Sequence, residues 1–220
     1  MKPLFDPALA QKIEGTGIVA VLVIDRAEDA VPLARALLAG GVDVMELTLR
    51  TPAALDALKA IRTAVPEMVA GVGTILTTEQ VKEVVEADAA FGVAPGLNSR
   101  VLNAAREAGL SFAPGILTPS DIELAVEHGC KLLKYFPAES SGGIAYLKAM
   151  SAPYAHLGLR FVPLGGLNAK NMASYLADAS VGALGGSWLA PRDLIKAQAW
   201  DQITALSAEA IQIIKTTRQK

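Results

Sequence analysis

Lys131-Leu-Leu-Lys-Tyr-Phe-Pro-Ala-Glu139 decides how the rest of the chain reads. Side chains alternate faces along a strand, so Leu132, Lys134 and Phe136 share one side while Leu133 and Tyr135 share the other. Apart from Lys134 both sides are apolar, as expected of a parallel strand covered on both faces. An ammonium group in such a place loses hydration, which favours the neutral amine, and a neutral amine is a nucleophile for carbonyl carbon. A lysine near a strand end can also reach out to water with no chemical role. The surroundings must decide between the two.

Working outward, the pattern alternates. Downstream, 140–143 is a loop of small residues before a short helix through Tyr146, Leu147 and Met150. A strand at 160–164 then leads through Gly165-Gly166 to a helix capped by Asn168. A strand at 181–184 leads through Gly185-Gly186-Ser187 to the last and longest helix. Upstream, strands fall at 17–24, 42–48, 68–73, 89–94 and 111–114. The helices between them have start signals at Asp25 with Glu28, Thr51-Pro52, Thr78, Asn98 and Thr118-Pro119. A further short helix, 5–14, opens with Asp6-Pro7 and stops at Gly15.

Eight strand-helix units in 220 residues, with no linker between them, favour a single (β/α)8 TIM barrel over 1–220 with a short N-terminal helix. A Rossmann or flavodoxin-like sheet is disfavoured, because Val23-Ile24-Asp25-Arg26 carries no glycine fingerprint for a pyrophosphate. A net charge of -2 gives no electrostatic reason to expect nucleic acid or an anionic membrane, so the partner is expected to be small. The single cysteine, Cys130, excludes an internal disulfide framework and suits a cytoplasmic location. No apolar run approaches the length of a membrane span.

Barrel enzymes carry their active groups where strands end in the following loops, and the polar residues here fall there. In the second strand Val44, Glu46, Thr48 and Arg50 share the face expected to point inward, and Met45, Leu47 and Leu49 the face expected to meet helices. Gly71-Val-Gly-Thr74 ends the third strand, its glycines admitting close backbone approach to a ligand and Thr74 offering a hydroxyl. Gly165-Gly166 and Gly185-Gly186-Ser187 follow strands seven and eight, where barrels commonly hold phosphate. His128 and His156 have no ligand spacing, so neither a metal nor a cofactor is expected. Ser140, Ser141 and Ser187 lack a histidine placed for hydrolase chemistry.

Glu46-Leu-Thr-Leu-Arg50-Thr, Gly71-Val-Gly-Thr74, Pro95-Gly96, Leu133-Lys134-Tyr-Phe-Pro-Ala-Glu139, Gly142-Gly143 and Gly185-Gly-Ser-Trp188 together resemble the 2-keto-3-deoxy-6-phosphogluconate (KDPG) aldolases, in order along nearly the whole chain. The resemblance implies a homotrimeric barrel and a class I lyase. Such a lyase cleaves KDPG to pyruvate and glyceraldehyde 3-phosphate, often with activity toward 4-hydroxy-2-oxoglutarate.

It makes Lys134 the Schiff-base lysine, Glu46 the proton-transfer residue, and Arg50 with Thr74 the carboxylate holders. Pro95, Phe136 and Leu164 would complete the substrate site, and Gly165, Gly166, Gly186 and Ser187 would hold the phosphate. The chain departs from the family at Leu164, where threonine is usual and its hydroxyl is associated with the substrate's C4 configuration. The departure opens the C4 epimer, the galactonate-derived substrate, as an alternative. A non-catalytic sugar-phosphate-binding barrel is the reading from another class, and the retained Glu46 and Lys134 argue against it.

Overall fold

In the computed structural model, which describes residues 2–219, the chain begins with α1 (Pro7–Thr16). The Asp6 carboxylate accepts from Leu9 N at 2.9 Å and Pro7 takes the first turn, where its missing N–H is no loss. The helix ends at Gly17, with φ 78°, two residues past the expected stop.

The strands are β1 (Ile18–Leu22), β2 (Val44–Thr48), β3 (Val69–Gly73), β4 (Gly92–Val93), β5 (Phe112–Ala113), β6 (Gly115–Ile116), β7 (Leu132–Tyr135), β8 (Arg160–Pro163) and β9 (Leu184–Gly186). The helices that follow α1 are α2 (Ala30–Ala39), α3 (Ala54–Ala64), α4 (Thr78–Glu86), α5 (Ser99–Glu107), α6 (Pro119–Glu127), α7 (Gly143–Ser151), α8 (Met172–Leu176), α9 (Arg192–Lys196) and α10 (Trp200–Arg218).

All strand pairs are parallel. One sheet runs β5-β4-β3-β2-β1-β9 and the other β6-β7-β8. The result is an α/β fold whose parallel strands curl into a half-barrel. Single-residue bridges, Phe161 to Val181 and Leu164 to Gly185, link β8 to the chain of β9. Met45, Leu47, Leu133 and Tyr135 point into the larger apolar core shared with the helices, and Val44, Leu132 and Val162 into a smaller one on the opposite face. The alternation expected for the second and sixth strands is therefore the one found.

Several local expectations are corrected. The strand expected at 111–114 is only β5; Pro114, which has no N–H to give a ladder, ends it, and β6 at Gly115–Ile116 follows as a strand not expected from the sequence. Gly185 and Gly186 lie inside β9, not in a loop after it, because they pair with Val19 and Ala20. Asp25 does not cap a helix: its carboxylate is drawn to Arg192 and Lys196, and a 3₁₀ turn at Ala27–Asp29 precedes α2. Thr51 gives its hydroxyl to Ile24 O, so α3 starts three residues later without a side-chain cap. Asn168 bonds Lys170 N at 2.9 Å in a turn, and α8 starts only at Met172. The long C-terminal helix is α10, separated from Ser187 by the short α9 and a left-handed Gln198, with φ 54°. Asn98 and Thr118 do cap their helices, and α4 is capped by Thr77, one residue before the expected signal at Thr78.

Candidate active site

The register of β7 places Lys134 opposite Gly115 on one side and Val162 on the other. Its Nζ lies 3.3 Å from Oε1 and 3.5 Å from Oε2 of Glu46, in the middle of β2. Lys134 is 7% exposed and Glu46 2%. Lys134 is that carboxylate's only hydrogen-bonding partner among the described residues. In a place that excludes water each charge interacts strongly with its neighbour and has no solvent to spread into. Such a buried pair, bordering a 30 Å³ cavity, is a candidate for proton-transfer chemistry.

Room for Glu46 comes from the strand beside it. β3 places Gly71 opposite Glu46 and Gly73 opposite Thr48. A Cβ on Gly73 would lie 1.7 Å from Oε1 of Glu46, and one on Gly71 would lie 2.4 Å from the Phe91 ring. These glycines therefore make space for side chains, a packing role beside the close approach to a ligand expected of them. Thr74 follows directly with φ 63°, a left-handed conformation that costs a β-branched residue about 1–2 kcal/mol. Strain of that kind concentrates at functional sites.

Phe136 presents its ring 5.6 Å from the Lys134 ammonium, within the range of a cation–π contact. Leu164, 6% exposed, shares a 30 Å³ cavity with Lys134 and Glu46. Its Cγ occupies the space a Cβ on Gly185 would need, at 2.1 Å. Pro95 stands two residues past β4, and its carbonyl would be 2.1 Å from a Cβ on Gly115, the strand partner of Lys134. Gly165, with φ 98°, packs toward the Phe136 ring, where its Cβ would be 3.3 Å away. Gly166, with φ 83°, packs against Glu139.

Other expected residues stand at the same strand ends but apart from the buried pair. Arg50 lies two residues past β2, exposed and without an ion-pair partner among the described residues. Ser187 is exposed just after β9, and buried Gly186 leaves room for the Trp188 ring, which its Cβ would meet at 2.3 Å. Among the described residues no three His, Cys, Asp or Glu side chains converge as a metal site, and no helix is long and apolar enough to cross a membrane.

The floor of the cavity escaped the reading of the sequence. Phe5 and Ile13, from the N-terminal segment and α1, close it from below, with Phe5 against Phe91 at 6.0 Å between ring centroids. The stripe Phe5, Leu9, Ile13 was the available signal, since residues four apart face one way on a helix.

Comparison with known proteins bears on this geometry. Residues 9–206 match the family model described as "Aldolase: KDPG and KHG aldolase". The KHG/KDPG aldolase of Escherichia coli K12 is 46% identical over 204 residues, covering 92% of this chain and 95% of that protein. The 2-dehydro-3-deoxy-phosphogluconate aldolase of Dickeya dadantii is 44% identical over 194 residues, covering 88% and 90%. A crystal structure of KDPG aldolase from Legionella pneumophila, with pyruvate captured as a covalent carbinolamine intermediate, superposes with a TM-score of 0.86. It is 38% identical, and the match covers 90% of this chain and 96% of that one. The likeness runs through every strand that frames Lys134 and Glu46, and the chain belongs to the KDPG and KHG aldolase family.

Proposed function

We propose that this chain is a class I aldolase that reversibly cleaves 2-keto-3-deoxy-6-phosphogluconate to pyruvate and glyceraldehyde 3-phosphate, and that it also accepts 4-hydroxy-2-oxoglutarate. The observation that carries the reading is the buried Lys134 amine 3.3 Å from the Glu46 carboxylate, inside a fold of this family. Glu46 is placed to take the ammonium proton and free the amine to attack the C2 carbonyl. Glu46 returns that proton to the carbinolamine hydroxyl, which leaves as water, and the carboxylate is regenerated; the resulting iminium accepts the electron pair of the breaking C3–C4 bond and becomes an enamine. Glu46 takes the C4 hydroxyl proton as glyceraldehyde 3-phosphate leaves, then returns a proton to C3. Water hydrolyses the iminium and releases pyruvate and the free lysine.

Arg50 and Thr74 are proposed to hold the carboxylate, the guanidinium by forked hydrogen bonds. Pro95 and Phe136 would wall the pyruvyl end, and Gly165, Gly166, Gly186 and Ser187 would carry the phosphate. We read 1–220 as one domain whose two sheets close into an eight-stranded barrel. The passage of the chain from β5 in one sheet through Pro114 directly to β6 in the other, and the Leu164–Gly185 bridge, support that closure. A homotrimer is proposed from the family resemblance, with light scattering as its check, and a cytoplasmic location from the single cysteine, Cys130. A second reading, preference for the C4 epimer 2-keto-3-deoxy-6-phosphogalactonate, is favoured by one observation: apolar Leu164 in the cavity wall.

Borohydride added with pyruvate tests the main reading. It should inactivate the enzyme irreversibly and add a reduced pyruvyl group to the peptide bearing Lys134. Lys134→Arg should abolish both trapping and turnover, since a guanidinium stays protonated. Labelling at another lysine would overturn the assignment.

A further inference from the structure

Outside the reacting centre, one pair of side chains ties two of its loops together. Glu139, in the 3₁₀ turn after β7, accepts a hydrogen bond at Oε1 from the Tyr175 hydroxyl of α8. Tyr175 is 1% exposed. Burial, with the Glu139 carboxylate beside it, pushes that hydroxyl above the ordinary phenol range and keeps it a donor. The stem of Glu139 lies against Gly166, where an added Cβ would come 2.6 Å from its Cβ and 2.8 Å from its Cγ.

Backbone bonds from Ala138 N to Leu164 O at 2.7 Å and from Glu139 N to Gly165 O at 3.0 Å complete a seam between the loops after β7 and β8. Asn171 Nδ2 donates to the Gly166 carbonyl at 3.1 Å. An exposed carboxylate beside a loop proposed for phosphate works against anion binding unless its position is fixed. The Tyr175 hydroxyl fixes it, drawing the carboxylate toward α8 and leaving the aliphatic stem as a brace under Gly166.

We propose that the Tyr175–Glu139 bond positions the Gly165-Gly166 loop for the phosphoryl end of the substrate, and so sets selectivity for phosphorylated over phosphate-free 2-oxo acids. Both are positioning residues, and the inference rests on the phosphate reading given above. Tyr175→Phe keeps the ring packing and removes only the donor. KM for the phosphorylated substrate should rise by about fivefold, as expected for partial loss of one charge-assisted bond. Its kcat, and both constants for 4-hydroxy-2-oxoglutarate, should stay unchanged.

Glu139→Ala should give the same split, and the double variant should add nothing further, since the two side chains act as one unit. Glu139→Gln keeps an acceptor and should restore native behaviour. Equal losses on both substrates, or a Glu139→Gln variant as impaired as Glu139→Ala, would overturn the inference. Competition by inorganic phosphate in the native enzyme separates the two failures. If phosphate competes and Tyr175→Phe changes nothing, the positioning role alone is wrong. Without competition, and with equal KM for both native substrates, the phosphate reading fails and the positioning role falls with it.

Discussion

A methyl group at Gly73 would lie 1.7 Å from Oε1 of Glu46, so the third strand gives up a side chain for the carboxylate of the second to stand upright beside Lys134. Gly73→Ala should push that carboxylate away from the amine. The expected loss is about 100-fold in kcat, the scale of removing general acid–base help. Overpacking should also lower stability by about 1–3 kcal/mol. Steady-state kinetics and urea unfolding measure the two effects, and an alanine variant with native kcat would show that the carboxylate's place is not critical.

Glu46 and Arg50 belong to the same segment yet should fail differently, because one is buried against the lysine and the other is exposed past the strand end. Glu46→Gln should lower kcat by about 10²–10⁴-fold, while imine trapping with pyruvate still goes to completion, only more slowly, because binding survives without the carboxylate's proton transfer. Arg50→Ala should mainly raise KM, by about tenfold or more, through lost binding of the substrate carboxylate. The same kinetic defect in both would refute the division of roles.

Leu164 walls the cavity that holds Lys134 and Glu46, and it offers shape without a hydrogen bond. An apolar wall separates near-isosteric substrates by about 10–200-fold at most, so the two C4 epimers should be cleaved with efficiencies inside that range. Leu164→Thr should widen the preference by raising kcat/KM for the gluconate-derived epimer. Pyruvate release from each epimer is the assay. Native discrimination of several thousand-fold would falsify this account.

Asp25 joins the loop after β1 to α9 through Arg192 and Lys196. The Arg192 hydrogen bonds, partly opposed by burial and helped by Lys196, lower its carboxyl from 3.8 to about 2. The folded state thus binds fewer protons than the unfolded state in that interval. The stabilisation is complete above about 3.8 and is lost as pH falls through about 2. The effect should be small because the pair is solvent-accessible. Arg192→Ala should flatten the fall of the urea midpoint over this window, and a variant with the native slope would remove Asp25 from the account.

Periodicity made the strand order and the inner face of β2 and β7 legible, because both faces of those strands are specified by alternation within a few residues. Caps at Asp6, Asn98 and Thr118 were legible because their partners lie two or three residues away. Asp25 was misread because its partner, Arg192, is distant in sequence and wins the carboxylate from the local backbone. The packing around Gly71, Gly73, Gly185 and Gly186 was not legible for a related reason. What each glycine makes room for, Phe91, Glu46, Leu164 and Trp188, is visible only once neighbouring strands and loops are in place. The pairing of Lys134 with Glu46 followed only from the family resemblance, since no local pattern relates two positions so far apart.

The pairing of β1 with both β2 and β9 has a consequence for biogenesis. A polypeptide leaves the ribosome N-terminus first, so Ile18–Leu22 and its partner Val44–Thr48 emerge while Leu184–Gly186 is still unmade. Until the late strand arrives, one edge of β1 presents unsatisfied peptide groups to solvent, a template for pairing with another nascent chain. Arg218, which donates to Glu14 O and Gly182 O and so fastens α10 across this seam, is made later still. Translation speed and chaperone supply should therefore govern the yield of folded enzyme more than its equilibrium stability does.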